Sequence, residues 1–193
     1  MKENGNILFC GVGGQGILLA SEITAYGLIE AGFDVKKSEV HGMAQRGGSV
    51  VAHLRYGAKV YSPLIDPGTA DIELAFEIVE AVRYLPFLNT DSRVIVNTQK
   101  ILPPGVATGK MEYPENILKE LEKRKIEYIP ADGFAIAKSV GEIRTANIAL
   151  VGVLSAYLPV PEEVFIKVIT GHIPRKVDEN IKAFREGRKL AET

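Results

Sequence analysis

Residues 6–19 read Asn6-Ile7-Leu8-Phe9-Cys10-Gly11-Val12-Gly13-Gly14-Gln15-Gly16-Ile17-Leu18-Leu19. An apolar run enters a glycine-rich turn and a second apolar run leaves it. That layout predicts a first strand, a phosphate-binding loop and a first helix. Gly11, Gly13 and Gly16 fit the G-x-G-x-x-G spacing. One glycine permits the tight turn, one lets the backbone approach a phosphate, and one lets the helix pack close to its strand. The helix N-terminus would then present unpaired N–H groups and a partial positive charge to an anion. A tight βα turn with no ligand is the plainer alternative.

The rest of the chain alternates strands and helices. Residues 6–12 read as a buried strand and 16–31 as a helix, with Ile17, Ala20, Thr24, Leu28 and Ala31 near one face and Gly32 as its terminator. Residues 33–38 form a short second strand, followed by a glycine-rich loop from His41 to Gly48. Ser49 to Tyr56 alternates apolar and polar positions, as a strand with one buried face does. Gly57-Ala58 reads as a turn, with Val60-Tyr61-Ser62 as the returning strand of a hairpin. Strands at 72–76, 94–96 and 126–129 follow. Helices are expected at 77–85, 114–124, 133–140, 145–157, 162–170 and 177–190, and residues 103–105 read as a loop. The predicted fold is α/β: a mainly parallel Rossmann-like sheet flanked by helices, with a β-hairpin insertion after the second strand. No repeat or long linker divides residues 1–193, so one domain is expected.

A dinucleotide site should also carry an acidic residue at the end of the second strand, ~20 residues on, to hold ribose hydroxyls. Glu39 is placed to serve. However, the next element is a glycine-rich loop and an alternating strand, not a crossover helix, so the usual βαβαβ half-fold is interrupted. The second segment, Ser38-Glu39-Val40-His41-Gly42-Met43-Ala44-Gln45-Arg46-Gly47-Gly48-Ser49-Val50, falls beside the first loop at the ligand-binding edge of such sheets. Arg46 suits a bidentate grip on phosphate or carboxylate, and Gly47-Gly48 would admit that group closely. An alternative is a packed loop with Arg46 paired to Glu39. His41 reads as a structural residue and not as a general base, because no carboxylate partner is identifiable. Asp132 and Thr145 read as helix caps, with Asn147 in the first turn after Thr145.

Composition narrows the function classes. The net charge is −1 and no basic stripe appears, so neither nucleic acid nor anionic membrane is an expected partner. No apolar run approaches the ~20 residues that span a bilayer. The N-terminus lacks an apolar h-region with a cleavage site, so a cytoplasmic location is the expectation. Cys10 is the single cysteine, too few for an iron–sulfur cluster held by four thiolates of this chain.

Taken together, Gly11-Val12-Gly13-Gly14-Gln15-Gly16 and the segment 38–50 closely resemble the gamma-type domain of 2-oxoacid:ferredoxin oxidoreductases. Ser62-Pro63-Leu64-Ile65, the region 70–77 and Asn97-Thr98 continue the resemblance along the chain. The wording from His41 to Gly48 is most similar to the beta subunits of the indolepyruvate type. The resemblance implies oxidative decarboxylation of an aryl 2-oxoacid with coenzyme A, giving an acyl-CoA, CO2 and reduced ferredoxin. It implies thiamine diphosphate and [4Fe–4S] clusters on a large alpha subunit, the partner of this chain, which would be inactive alone. It also associates the gamma-type domain with subunit assembly and, in some relatives, with coenzyme A binding. The expected binding residues are Gly11, Val12, Gly13, Gly14, Gln15, Gly16, Glu39, His41, Gln45, Arg46, Gly47, Gly48, Ser49 and Asn97, with no catalytic residue and no metal ligand assigned. Two alternatives stay open: a free-standing NAD- or FAD-binding enzyme, and a purely structural assembly subunit.

Overall fold

The computed structural model describes residues 3–41 and 47–191. The first strand, β1 (Gly5–Val12), is buried on both faces. Helix α1 (Ile17–Glu30) follows the glycine loop, and Ile17, Ala20, Thr24 and Leu28 are buried as the spacing predicted. It ends in a Schellman arrangement: Gly32 N–H donates to the Ile29 carbonyl and Phe33 N–H to the Leu28 carbonyl, at 2.9 and 3.1 Å. Gly32 takes φ +93, a left-handed conformation that costs glycine little.

β2 (Asp34–His41) and β3 (Ser49–Gly57) come next, then β4 (Ile72–Ala75), α2 (Ile78–Arg83), β5 (Arg93–Asn97), the single-turn α3 (Pro104–Ala107), α4 (Lys119–Lys123) and β6 (Glu127–Ala131). The C-terminal part is helical: α5 (Gly133–Ser139), α6 (Ala146–Ser155), α7 (Glu162–His172) and α8 (Val177–Ala191). The six strands form one sheet in the order β2-β3-β1-β4-β5-β6. β1, β4, β5 and β6 run parallel, whereas β3 is antiparallel to both its neighbours. This is the expected mainly parallel α/β architecture.

Side-chain alternation along the strands builds two apolar layers. Ile7, Phe9, Leu74 and Ile95 face α1, α6, α7 and α8. Leu8, Cys10, Ala75, Val94 and Val96 face α2 and α4. In the first layer α6 and α8 cross very closely, because each carries a glycine at the crossing. A Cβ on Gly152 would lie 2.0 Å from the Phe184 carbonyl oxygen, and one on Gly187 would lie 1.9 Å from that of Ala149.

Four local expectations differ from the structure. β3, expected to bury one face, buries both, with Val51 and His53 buried along with Val50 and Leu54, because it lies inside the sheet between β2 and β1. The hairpin forms between β2 and β3, not between β3 and residues 60–62. Both sides of β3 are already taken by β2 and β1, so residues 58–62 have no strand to join. Instead the Asp34 carboxylate accepts from Val60 N–H at 3.0 Å, and Arg55 donates to the Ser62 and Leu64 carbonyls. The helix expected at 114–124 shrinks to α4, because Asn116 adopts φ +52 and interrupts the first turns. The loop expected at 103–105 runs instead into the single turn of α3.

The α6–α8 crossing gives a direct test. Gly187→Ala forces a methyl into backbone, so the helices must separate. The expected cost is about 3 kcal/mol, the upper end of ordinary overpacking, read as a lowered midpoint in chemical denaturation. An unchanged midpoint would contradict this helix contact.

Candidate functional site

Ligands of open parallel sheets gather at the C-terminal ends of the strands, beside helix N-termini. Here β1, β4 and β5 end around a cavity of about 470 Å³. Gly13, Gly14, Gln15 and Gly16 form one wall, and Phe76, Asn97 and Gln99 the floor. Ile101, Phe134, Ile143, Ala146 and Leu150 make an apolar slot, with Arg144 and Asn147 beside it.

The glycines act in distinct ways. A Cβ on Gly11 would meet Phe76 Cβ at 2.7 Å and Gln15 Oε1 at 2.8 Å, so this glycine serves close packing. Gly14 and Gly16 adopt φ +104 and +78. A Cβ on Gly16 would come within 2.5 Å of Asn147 Nδ2. Gly13 N–H is already committed, donating to the Gly48 carbonyl at 2.8 Å. Gly16 caps α1 with no side-chain bond, and the first turn carries no acidic residue. The positive end of α1 therefore meets the cavity uncompensated among the described residues.

Gln15 is a clamp. Its Oε1 accepts from Val12 N–H at 2.8 Å, and its Nε2 donates to the Phe76 carbonyl at 2.6 Å and to Gln99 Oε1 at 3.0 Å. Asn97 works alongside it. Its Nδ2 donates to the same Phe76 carbonyl at 3.0 Å, and its Oδ1 accepts from Gly133 N–H at 3.1 Å. These two amides tie the ends of β1, β4 and β5 and the start of α5 into one rigid floor. Glu77 continues the frame: it caps α2 through Val79 and Glu80 N–H and accepts from Ile101 N–H and the Tyr113 hydroxyl. Arg144, largely exposed at the rim, grips Glu142 through two 2.9 Å bonds. Those bonds hold the Glu142 carboxyl down at about 2.

The remaining expected residues are spread more widely. Gly48 and Ser49 adjoin the loop, but the Ser49 hydroxyl donates to Glu80 Oε2 at 2.5 Å and lies 3.1 Å from the Tyr84 hydroxyl. Gly47 is exposed, at φ +76. Glu39 is not brought to the cavity. It is level with Ala52, which pairs with Phe9, and so sits two strands out, roughly 10 Å at ~4.8 Å per strand. Its carboxylate pairs with Lys37 at 2.5 Å. A ribose-holding acid would stand beside β1, so this topology argues against the dinucleotide alternative. The backbone of His41 pairs with Val50, level with Gly11. Gln45 and Arg46 lie outside the described residues.

Sequence reasoning missed Gln99, Phe134, Ile143 and Arg144 as cavity residues. They belong to segments without a motif, and only the sheet order gathers them. Asn147, expected only in the first turn of a helix, borders the cavity, and its Nδ2 donates to the Gly16 carbonyl at 3.3 Å. Thr145 stands at the N-cap of α6 but makes no side-chain cap bond; its hydroxyl donates back to the Glu142 carbonyl at 2.7 Å. Asp132 does cap α5, accepting from Ala135 N–H at 2.8 Å.

The family model described as pyruvate ferredoxin/flavodoxin oxidoreductase matches residues 6–190. The chain belongs to this family. It is 43% identical to the "Indolepyruvate oxidoreductase subunit IorB" of Archaeoglobus fulgidus, covering 96% of this chain and 94% of that one. It is 40% identical to the protein of the same name from Thermococcus kodakarensis, covering 99% and 97%. The fold also matches a 2-oxoglutarate:ferredoxin oxidoreductase from Magnetococcus marinus, a structure with 2-oxoglutarate, coenzyme A and succinyl-CoA bound. There the TM-score is 0.77 at 21% identity, over all of this chain and 32% of that one.

Beneath the glycine loop lies a buried acid. Cys10 Sγ donates to Glu73 Oε1 at 2.9 Å, while Glu73 Oε2 is buried without a hydrogen-bond partner. Burial raises the Glu73 carboxyl from 4.5 to about 8. Burial also pushes the Cys10 thiol well above its usual value, with Glu73 adding to the effect. Between pH 4.5 and about 8 the folded chain holds a proton that the unfolded chain has released. Stability from this group therefore falls as pH rises through that window, by up to about 1.4 kcal/mol per unit, and levels off above it. His53, lowered from 6.5 by burial, contributes the opposite slope below 6.5. The difference between wild type and Glu73→Gln isolates the carboxyl: the variant's relative stability should increase from pH 5 to 8. A pH-independent difference would contradict a neutral Glu73.

Proposed function

We propose that this chain is the non-cluster subunit of an indolepyruvate:ferredoxin oxidoreductase. It would act with a large alpha subunit in the coenzyme A-dependent oxidative decarboxylation of aryl 2-oxoacids. The observation that carries this reading is near full-length similarity, at 40–43% identity, to chains named as subunits of an indolepyruvate oxidoreductase. Thiamine diphosphate and [4Fe–4S] clusters, placed by this reading on the alpha subunit, supply decarboxylation and electron transfer to ferredoxin. A cluster does not fit this chain alone. Its single cysteine is buried, a cluster of this kind needs four thiolates, and no metal-ligating group forms among the described residues.

Within that assembly the glycine-loop cavity is read as a site for an anionic, partly apolar ligand, with coenzyme A as the ligand proposed. Its volume lies within the ~300–1,000 Å³ of small-molecule pockets. The open end of α1 and the Arg144 guanidinium suit phosphate, and the slot between Phe134, Ile143 and Leu150 suits the less polar arm. Arg46 is proposed as a second cation for the same phosphates. A structural alternative draws on a specific observation: Gly13 spends its N–H on Gly48, so part of the loop already serves the protein's own packing.

Two experiments test this. Co-expression with the large subunit should yield a stable complex with indolepyruvate-dependent dye reduction. Full activity of the large subunit alone would overturn the proposed role. In the active complex, Arg46→Ala and Arg144→Ala should each raise the apparent KM for coenzyme A about tenfold, as expected for one charge-assisted hydrogen bond, with little change in kcat. Unchanged KM in both variants would favour the structural alternative.

A further inference from the structure

Among the described residues, β2 is paired with a strand on one side only, β3. It is eight residues long, unbroken in register and free of proline. At ~3.4 Å per residue it presents roughly 27 Å of edge, with backbone groups open to another strand. The opposite edge, β6, has five residues and contains Pro130. Proteins commonly blunt such an edge with lysine. Here that device is offset within the strand: Lys36 pairs with Asp34 at 2.6 Å and Lys37 with Glu39 at 2.5 Å. Apolar groups flank both faces. Val40 is 55% exposed on the strand itself, and Ile29 is 50% exposed on α1. Ile29 shares a helical stripe with Glu22, which lies 3.8 Å from Lys37.

We propose that β2 is the seam of a homodimer, pairing antiparallel with β2 of a second copy about a two-fold axis at Ser38. A two-fold perpendicular to the sheet keeps each side chain on its own face, so the axis must pass through a residue pair. Centring on Lys37 sets lysine against lysine, and centring on Glu39 sets glutamate against glutamate. Centring on Ser38 alone among these makes the charges complementary. Lys37 of each copy then faces Glu39 of the other, twice by symmetry, and Val40 lies across from the aliphatic stem of Lys36. The two six-stranded sheets become one continuous sheet, and the α1 stripes carrying Ile29 approach on one face.

The purified full-length chain should show twice the monomer mass in light scattering across a concentration series. Ser38→Cys should form a disulfide-linked dimer on mild oxidation, since Cys10 is buried. Lys37→Glu should raise the dimer dissociation constant at least about tenfold, because like charges then face each other at two sites. Lys37→Glu combined with Glu39→Lys should restore it. Monomer mass throughout, or a folded Ser38→Cys chain that does not cross-link, would overturn the proposal. So would cross-linking of the Ser38→Cys variant to a different subunit in the co-purified complex.

Discussion

The antiparallel insertion of β3 between β1 and β2 is the constraint from which most of this molecule follows. Its ladder with β1 runs unbroken from Gly5–Tyr56 to Val12–Ser49. That register delivers Gly48 to the turn after β1, where its carbonyl takes the Gly13 N–H. The same insertion pushes β2, and Glu39 with it, one strand further from the glycine loop than a dinucleotide-binding fold would place them. A loop that resembles a nucleotide fingerprint is thereby separated from the acid that would complete one. The insertion also leaves β2 as a long outer edge.

What remains at the C-terminal ends of the strands is a floor held by side-chain amides. Gln15 and Asn97 converge on the Phe76 carbonyl from two different strand ends. Both amides are nearly saturated by protein partners, so they shape the cavity more than they read a ligand. In the proposed function, recognition falls to the open end of α1, to the apolar slot and to the guanidinium of Arg144.

Beneath this floor the protein tolerates an unusual burial. Glu73 occupies a strand position that faces the α2 layer, with the Cys10 thiol as its one hydrogen-bond partner among the described residues. A carboxylate there would be costly, and the neutral acid is the form that burial favours. Glu80 manages the same environment differently. It pairs with Arg83 and accepts from Ser49, so the start of β3 is anchored to α2.

Much of the fold was legible because its signals are local. The apolar run of β1, the tight turn of the glycine loop, the helix stripe of α1 and the Gly32 terminator each depend on neighbouring residues, and each forms where it was expected. So does the cap at Asp132. The errors arose where partners are distant. Residues 60–62 have strand-like side chains, but no free strand to pair with. The first turns of the expected helix at 114–124 yield to the left-handed backbone of Asn116. Glu39 has the right chemical type and spacing, yet strand order decides where it stands. By itself, then, the sequence determined the element pattern, the glycine loop and the family resemblance, all carried by short-range spacing. Only the tertiary structure decided which strands are neighbours, and hence that Gln99, Phe134, Ile143 and Arg144 share one cavity while Glu39 does not. Sheet order is set by packing between segments far apart in the chain, and no local pattern encodes it.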